Sequence, residues 1–223
     1  VGRPIGSFFG YVTDGIFQNQ QEVESAAFQN ENTAPGDIRF KDLNGDGAIT
    51  IEDQSYIGNP SPAIAYGLNV DFEFKGFDLA IFLQGTQGND IYNATVRYDF
   101  NYVNRPASVL NRWTGAGTSN VEPRVNLLDP NQNARVSDRF VEDGSYLRLK
   151  NVQLGYALPP SLLKKIKFEK FRLYVSAQNL FTFTKYTGMD PEIGAYGGAL
   201  NAGVDRGFYP QARVLLGGVN VTF

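Results

Sequence analysis

The residues best suited to chemistry sit in one run, "DLNGDGAITIED", from Asp42 to Asp53. Side-chain oxygens stand on Asp42, Asn44, Asp46, Thr50 and Asp53, and the Ala48 backbone carbonyl falls between them. Short carboxylates and amides at alternate positions can converge on a hard cation that takes about six to eight oxygens, and Gly47 allows the sharp turn such a loop needs. Calcium (Ca2+) is therefore the expected cofactor, with Asp42, Asn44, Asp46, Ala48, Thr50 and Asp53 as ligands. Asp in place of Glu at the last ligand position, as in dockerin loops, makes two-oxygen ligation weaker there and the affinity modest. Ile49 fits a hydrophobic anchor. A succession of plain Asx and Gly turns would be spelled the same way. The flanks "PGDIRFK" and "QSYIGNP" are not amphipathic helices, so the run reads as a brace and not as a sensor that opens.

Composition removes most other chemistry. With no Cys and no His, disulfides, thiol nucleophiles, His-based triads and ordinary zinc sites are excluded. Against 20 basic residues stand 23 acidic ones, a net charge of −3, so no positive field draws nucleic acid. Glycoside hydrolysis needs two carboxylates held across a bond. The pairs Glu142 with Asp143 and Asp190 with Glu192 lie among Gly and Pro and read as turn residues, so no enzyme is expected. Phe8, Phe9, Tyr11, Phe17, Tyr92, Tyr98, Phe100, Tyr102 and Trp113 fall in loops. They could stack on sugars or anchor a partner, but small cores under long loops are the more ordinary use, and no substrate residue is assigned. The lysines of "LLKKIKFEK" (Lys164, Lys165, Lys167 and Lys170) read as a solvated turn.

The elements that position these residues alternate with a period of two. Tyr66, Leu68, Val70, Phe72 and Phe74 share one face of a strand, with Asn69, Asp71 and Glu73 on the other. Lys75-Gly76 is a tight hairpin link, and Phe77, Leu79, Ile81 and Leu83 continue the apolar face. Strands are expected at Ala63 to Phe74, Phe77 to Gly85, Ser145 to Tyr156, Lys170 to Leu180 and Arg213 to Phe223. A parity slip between Leu149 and Val152 predicts a bulge. Pro159-Pro160 and "SLLKKI" predict a compact turn with one helical turn.

No apolar run approaches the roughly 20 residues of a spanning helix, whereas a spanning strand needs only about 9 to 11. Strand direction places the links at Lys75-Gly76 and Ala157 to Glu169 on one side, and Thr86 to Gly144 and Phe181 to Ala212 on the other. Short turns on one side and long loops on the other mark an outer-membrane β-barrel. A soluble β-sandwich alternates in the same way and stays open at this point. The polar faces, including Asn69, Asp71, Glu73, Asp78, Gln84, Arg172, Ser176 and Gln178, would face a lumen in one case and water in the other.

Taken together, "GSFFGYVTDGIFQ", "PGDIRFKDLNGDGAI", "IGNPSPAIAYGLN", "KGFDLAIFLQGTQGNDIYN", "RFVEDGSYLRLKNVQLGYALP", "YVSAQNLFTFTKYTGMDPE" and the final Phe223 resemble the C-terminal part of the SusC/RagA family of TonB-dependent outer-membrane transporters. The resemblance covers almost the whole chain in order. It implies an all-β fold, the C-terminal antiparallel strands of a transmembrane barrel of about 22 strands with long extracellular loops. Residues 1–62 would be an extracellular loop region holding the calcium loop 42–53. Residues 63–223 would be barrel strands with loops 86–144 and 181–212, without the plug domain. The implied function is part of an importer of large nutrients, oligosaccharides or peptides. The implied partners are a SusD-like surface lipoprotein, TonB through the missing N-terminal part, the rest of barrel and plug, and outer-membrane lipid. Phe223 resembles the terminal signal read by barrel-assembly machinery. The competing class is a soluble calcium-dependent β-rich module that binds protein through its dockerin-like loop.

Overall fold

The computed structural model describes residues 2–96, 104–195 and 197–223. Strands β1 (Phe8–Tyr11), β2 (Thr13–Ile16), β3 (Ile38–Phe40) and β4 (Gln54–Gly58) precede two long ones, β5 (Ile64–Phe74) and β6 (Phe77–Gln87). The short β7 (Asp90–Asn93) and β8 (Val141–Asp143) come before β9 (Tyr146–Ala157), β10 (Lys170–Thr184), β11 (Val204–Asp205) and β12 (Val214–Thr222). Only α1 (Gln20–Ser25) and α2 (Pro160–Ile166) are α-helical among the described residues. The chain divides into two units. One comprises Val1–Ser61, Asp90–Glu142 and Ile193–Gly207; the other comprises Pro62–Asn89, Asp143–Glu192 and Phe208–Phe223.

The second unit is a five-stranded sheet in the order β12-β10-β9-β6-β5, antiparallel throughout. Its five strands are the five read from the sequence. Two of them run further, to Gln87 and Thr184, because Thr86 and Phe181 to Thr184 keep pairing with β9. Phe74 pairs with Phe77, and the two residues between them, Lys75 and Gly76, both have positive φ (49° and 89°). That is the backbone a two-residue hairpin demands, and a Cβ on Gly76 would also lie 2.8 Å from the Ala157 carbonyl oxygen. The bulge falls at Lys150: Asn151 faces Phe82 while Leu149 faces Leu83. Across the other edge, Asn179 and Leu180 stand opposite that same residue, with Asn179 at φ 50°. Asn tolerates this left-handed region better than most side chains. The turn after β9 starts α2 with Pro at its first position, where a missing N–H costs nothing.

The first unit gathers short strands around two small cores. Phe8, Tyr92 and Phe140 form one, and Ile38, Phe40 and Ile49 the other. Long loops survive burial only when their backbone and side-chain polar groups are paired. Asp37 is fully buried and takes two hydrogen bonds of 2.8 Å from the Arg124 guanidinium, a third from Asn133 Nδ2 and a fourth from the Ala34 N–H. Asn131, also fully buried, accepts from Gln29, Asn30 and Thr33 and donates to the Ile38 carbonyl. Segments about a hundred positions apart in sequence are thus locked together without a large apolar core.

Candidate functional site

Two features can carry function: the faces of the five-stranded sheet and the loop from Asp42 to Asp53. Residues directly opposite in neighbouring strands share a face, so the register assembles one face row by row. From the end where the long connections join, the first row is Tyr66, Gly85, Leu147 and Phe183, and the second Leu68, Leu83, Leu149 and Phe181. Val70, Ile81, Val152, Ala177 and Leu215 form the third, and Phe72, Leu79, Leu154, Val175 and Gly217 the fourth. The fifth is Phe74, Phe77, Tyr156, Leu173 and Val219, and Phe171 with Val221 closes the face. Six rows at two residues each span about 34 Å along the strands, or about 26 Å upright at the usual barrel tilt, which matches the roughly 25 Å apolar band of a membrane barrel. Aliphatic side chains predominate in the middle, where Phe181 and Phe72 are the aromatic members, and aromatic ones gather toward both ends, the girdle pattern of such a band.

This face is open. Leu68, Phe72, Phe77, Val175 and Leu215 are all more than half exposed. A sandwich would bury these side chains against a second sheet, and a water-soluble monomer seldom shows an apolar patch of more than a few hundred Å². The opposite face carries Asn69, Asp71, Glu73, Asp78, Gln84, Arg172, Ser176 and Gln178, all on one side by register. There Arg172 forks onto Asp78, with Nε 2.8 Å from Oδ1 and Nη2 bonded to Oδ2. The fork lies across Gly155, where a Cβ would collide with both partners.

Sequence reasoning missed the strongest polar cluster of this unit. Arg148 is nearly fully buried on the polar face, between Gln84 and Thr182. Its Nη2 lies 2.5 Å from Asp190 Oδ1, its Nη1 2.8 Å from Glu192 Oε2, and its Nε donates to Thr182 Oγ1. Lys150, the bulged residue, donates to both Glu192 oxygens. Asp190 and Glu192 are therefore not free turn residues. They are the far half of an ion network that fastens the segment after β10. Burial works to raise the Asp190 carboxyl, but the N–H of Gln211, the Arg148 guanidinium and the N–H of Glu192 outweigh it and hold the group below the usual carboxylate range. The one sequence signal was Arg148 and Lys150 at alternate positions in a strand.

In the loop, Asp42 accepts from the N–H groups of Gly45 and Gly47 at 2.7 and 2.8 Å. The Asn44 side-chain oxygen accepts from the Asp46 N–H and its Nδ2 donates to Asp46 Oδ2, while Asp46 Oδ1 accepts from the Ala48 N–H. Asp53 is fully buried. It accepts from Leu43 and Thr50 N–H groups, closing the loop on its own start. Thr50 caps the short 3₁₀ turn Ile51–Asp53 and accepts from the Glu52 N–H. Burial pushes the Asp53 carboxyl up, and the N–H groups of Thr50, Leu43 and Asn44 more than reverse it. Ile49 is buried against Ile38 and Phe40, and the flanks are β3 and β4 with no α-helix. No group of three or more carboxylates converges among the described residues. An ionised carboxylate has about four acceptor sites, so Asp42, Asp46 and Asp53 keep lone pairs beyond their N–H partners, and the donor set is the oxygen-only kind that suits a hard cation.

Phe8, Phe17 and Tyr92 are buried, and the Arg135 guanidinium stacks on Tyr11 and Phe40. Trp113 donates from Nε1 to Gln18 Oε1 and covers Gly36 so closely that a Cβ there would lie 2.5 Å from the indole. These rings build small cores. Phe9 stays exposed, and Tyr98, Phe100 and Tyr102 lie outside the described residues. Glu142 accepts from Asn93 Nδ2, and Asp143 caps the Ser145 N–H. Phe223 is exposed, with its ring edge-on to Phe168.

No protein-family model matches the chain. Over its whole length it is 38% identical to TonB-dependent receptor P3 of Formosa agariphila, of which it spans 22%. It is 31% identical to TonB-dependent receptor P26 of that organism, spanning 23%. Over 96% of the chain it is 29% identical to TonB-dependent receptor SusC of Bacteroides thetaiotaomicron, spanning 20%. Among solved structures, that of the RagAB peptide transporter superposes with a TM-score of 0.72 at 24% identity, covering 97% of this chain and 23% of the other. The RagAB peptide importer in its open-open state also gives 0.72, at 22% identity and the same coverage of this chain. These two are likenesses of fold. The chain thus spans less than a quarter of the length of the curated relatives it matches.

Proposed function

Because this chain is a segment of a TonB-dependent receptor of the SusC/RagA kind, homologous to such receptors from end to end, we propose that its five-stranded sheet forms part of the wall of an outer-membrane barrel that imports large nutrients. The rows of exposed apolar side chains in register, mainly aliphatic at the centre and aromatic toward both ends, carry this reading. In the barrel this face meets hydrocarbon, and the face with the Arg172–Asp78 fork meets the lumen. The short turns point to the periplasm and the long segments outward. The open edges of β5 and β12 pair with the remaining strands, since unpaired edges do not persist in a bilayer. A SusD-like surface lipoprotein captures cargo, and TonB supplies the work through the part of the receptor beyond this segment. Peptides are the cargo named for the RagAB structures of like fold; an oligosaccharide is the other class.

The intact protein is expected in the outer-membrane fraction, to need detergent for extraction, and to change electrophoretic mobility on heating. Recovery as a soluble, detergent-free monomer would overturn the reading.

The loop from Asp42 to Asp53 we propose as a calcium brace. Asp42, Asn44, Asp46, Ala48, Thr50 and Asp53 would hold the ion, whose double positive charge would offset most of the negative charge on the three carboxylates they include. Support comes from the spacing, the two glycines at positive φ and an Asp53 kept ionised by backbone N–H groups. Binding to the folded loop alone would stabilise it by mass action. Chelation is expected to speed proteolysis between Asp37 and Gln54 several-fold while leaving the sheet protected. Equal cleavage rates with calcium and with chelator would count against the brace.

A further inference from the structure

Three lysines, Lys164, Lys165 and Lys167, crowd the turn between β9 and β10, and all three are exposed. They read as a solvated turn from sequence. Their exposure agrees with that reading, and the structure also connects their turn to the apolar face. After α2 the chain passes through Lys167 in the left-handed region. Phe168 then donates its N–H to the Leu163 carbonyl and lays its ring parallel to Phe171, with centroids 6.1 Å apart. Phe171 belongs to the last apolar row, so Phe168 extends that face by one further step and seats α2 at its rim. At the other short turn, Lys75 Nζ stands 5.1 Å from the centre of the Phe74 ring. Four lysines therefore lie in the two short turns that adjoin the aromatic edge of the band. Lys170 is different: it pairs with Thr222 on the polar face and belongs with Arg172 and Asp78. Between Leu158 and Lys170 the sole acidic residue is Glu169.

We propose that this rim binds the headgroup phosphates of anionic phospholipids in the leaflet facing the short turns. Charge complementarity and direct continuity with the apolar band point to lipid as the occupant. Lysine stems can lie along apolar surface while their ammonium groups reach the headgroups, and each lysine near an anionic surface strengthens attraction by a factor of about five. The inference rests on the membrane-wall reading, and its test separates the two.

The intact protein is reconstituted in phosphatidylcholine vesicles, and the association of spin-labelled phosphatidylglycerol is compared with that of spin-labelled phosphatidylcholine. The wild type is expected to prefer phosphatidylglycerol at least several-fold at low salt, and to lose the preference in about 1 M salt, where screening reaches only about 3 Å. The K164Q/K165Q/K167Q variant should lose it, whereas K170Q and the triple change to arginine should keep it. A wild type that inserts but shows no preference, or a preference unmoved by salt or by the glutamine changes, overturns the lipid site and leaves the wall reading standing. Should the glutamine variant not assemble, the salt response of the wild type decides. Failure of the wild type itself to enter vesicles sinks the wall reading and this proposal together.

Discussion

Leu154→Arg is expected to deplete the outer-membrane fraction markedly, while Gln153→Arg, one residue earlier, leaves it nearly unchanged. Leu154 lies in the fourth of six apolar rows, between Leu79 and Val175, and is 45% exposed. An arginine on the lipid face near mid-membrane costs about 2–4 kcal/mol. Folded proteins hold only about 5–15 kcal/mol in reserve, so the loss is a large fraction of the total. Gln153 pairs with Ala80 and Ser176 on the polar face, where a guanidinium stays in water and costs about 0.5 kcal/mol or less. The measurement is the heat-modifiable fraction in purified outer membranes, with urea midpoints for the material that folds. Similar losses for the two variants would mean that the faces are not different solvents, and the barrel assignment would fall.

Arg148→Met should release the segment after β10 without unfolding the sheet. Arg148 and Asp190 side chains are 3% and 6% exposed, and removing one member of a buried pair costs about 3–5 kcal/mol because the other charge is stranded. Trypsin at Lys185 offers a direct readout, since this site precedes Asp190 in the fastened segment. Cleavage there is expected to accelerate by two to three orders of magnitude, the equivalent of about 3–4 kcal/mol at about 1.4 kcal/mol per tenfold. Arg148→Lys keeps the charge and loses the fork, so an intermediate rate is expected.

Acidity acts in the same direction. The Asp190 carboxyl is held below its ordinary value; its contribution is complete above the unfolded pKa of about 3.9 and is lost as pH falls through the lower folded value. Protection of Lys185 should thus be flat from neutral pH to about pH 5 and weaken only below about pH 4. Protection that fails near neutrality, or a Met variant cut no faster than wild type, would show that the network does not hold the segment.

How much was legible beforehand differs from element to element. The strand sets, the hairpin at Lys75-Gly76 and the slip near Lys150 are local facts: a period of two, a pair of turn residues, one parity change. Alternation writes its own outcome because successive side chains must point to opposite faces. The oxygen spacing from Asp42 to Asp53 and the burial of Ile49 are local in the same sense. Arg148 could not be found that way. Its partners stand 42 and 44 positions later, and nothing in "SYLRLK" or "GMDPEIG" names the other. The lock at Asp37 joins residues 87 and 96 positions apart. The lysines of the short turn were visible, but only the Phe168–Phe171 stack set three of them on the apolar rim and the pairing of Lys170 with Thr222 set the fourth on the polar face.

Sequence alone determined which residues form the five long strands, which face of each is apolar and where the tight turn at Lys75-Gly76 falls, because these depend on neighbours within a few positions. The seven short strands among the described residues of the loop segments were not legible that way. The tertiary structure decided that the apolar faces line up in rows across five strands and remain uncovered, and which charges meet. Those outcomes depend on inter-strand register and on the closing of long loops, whose side chains find partners only once the chain has folded.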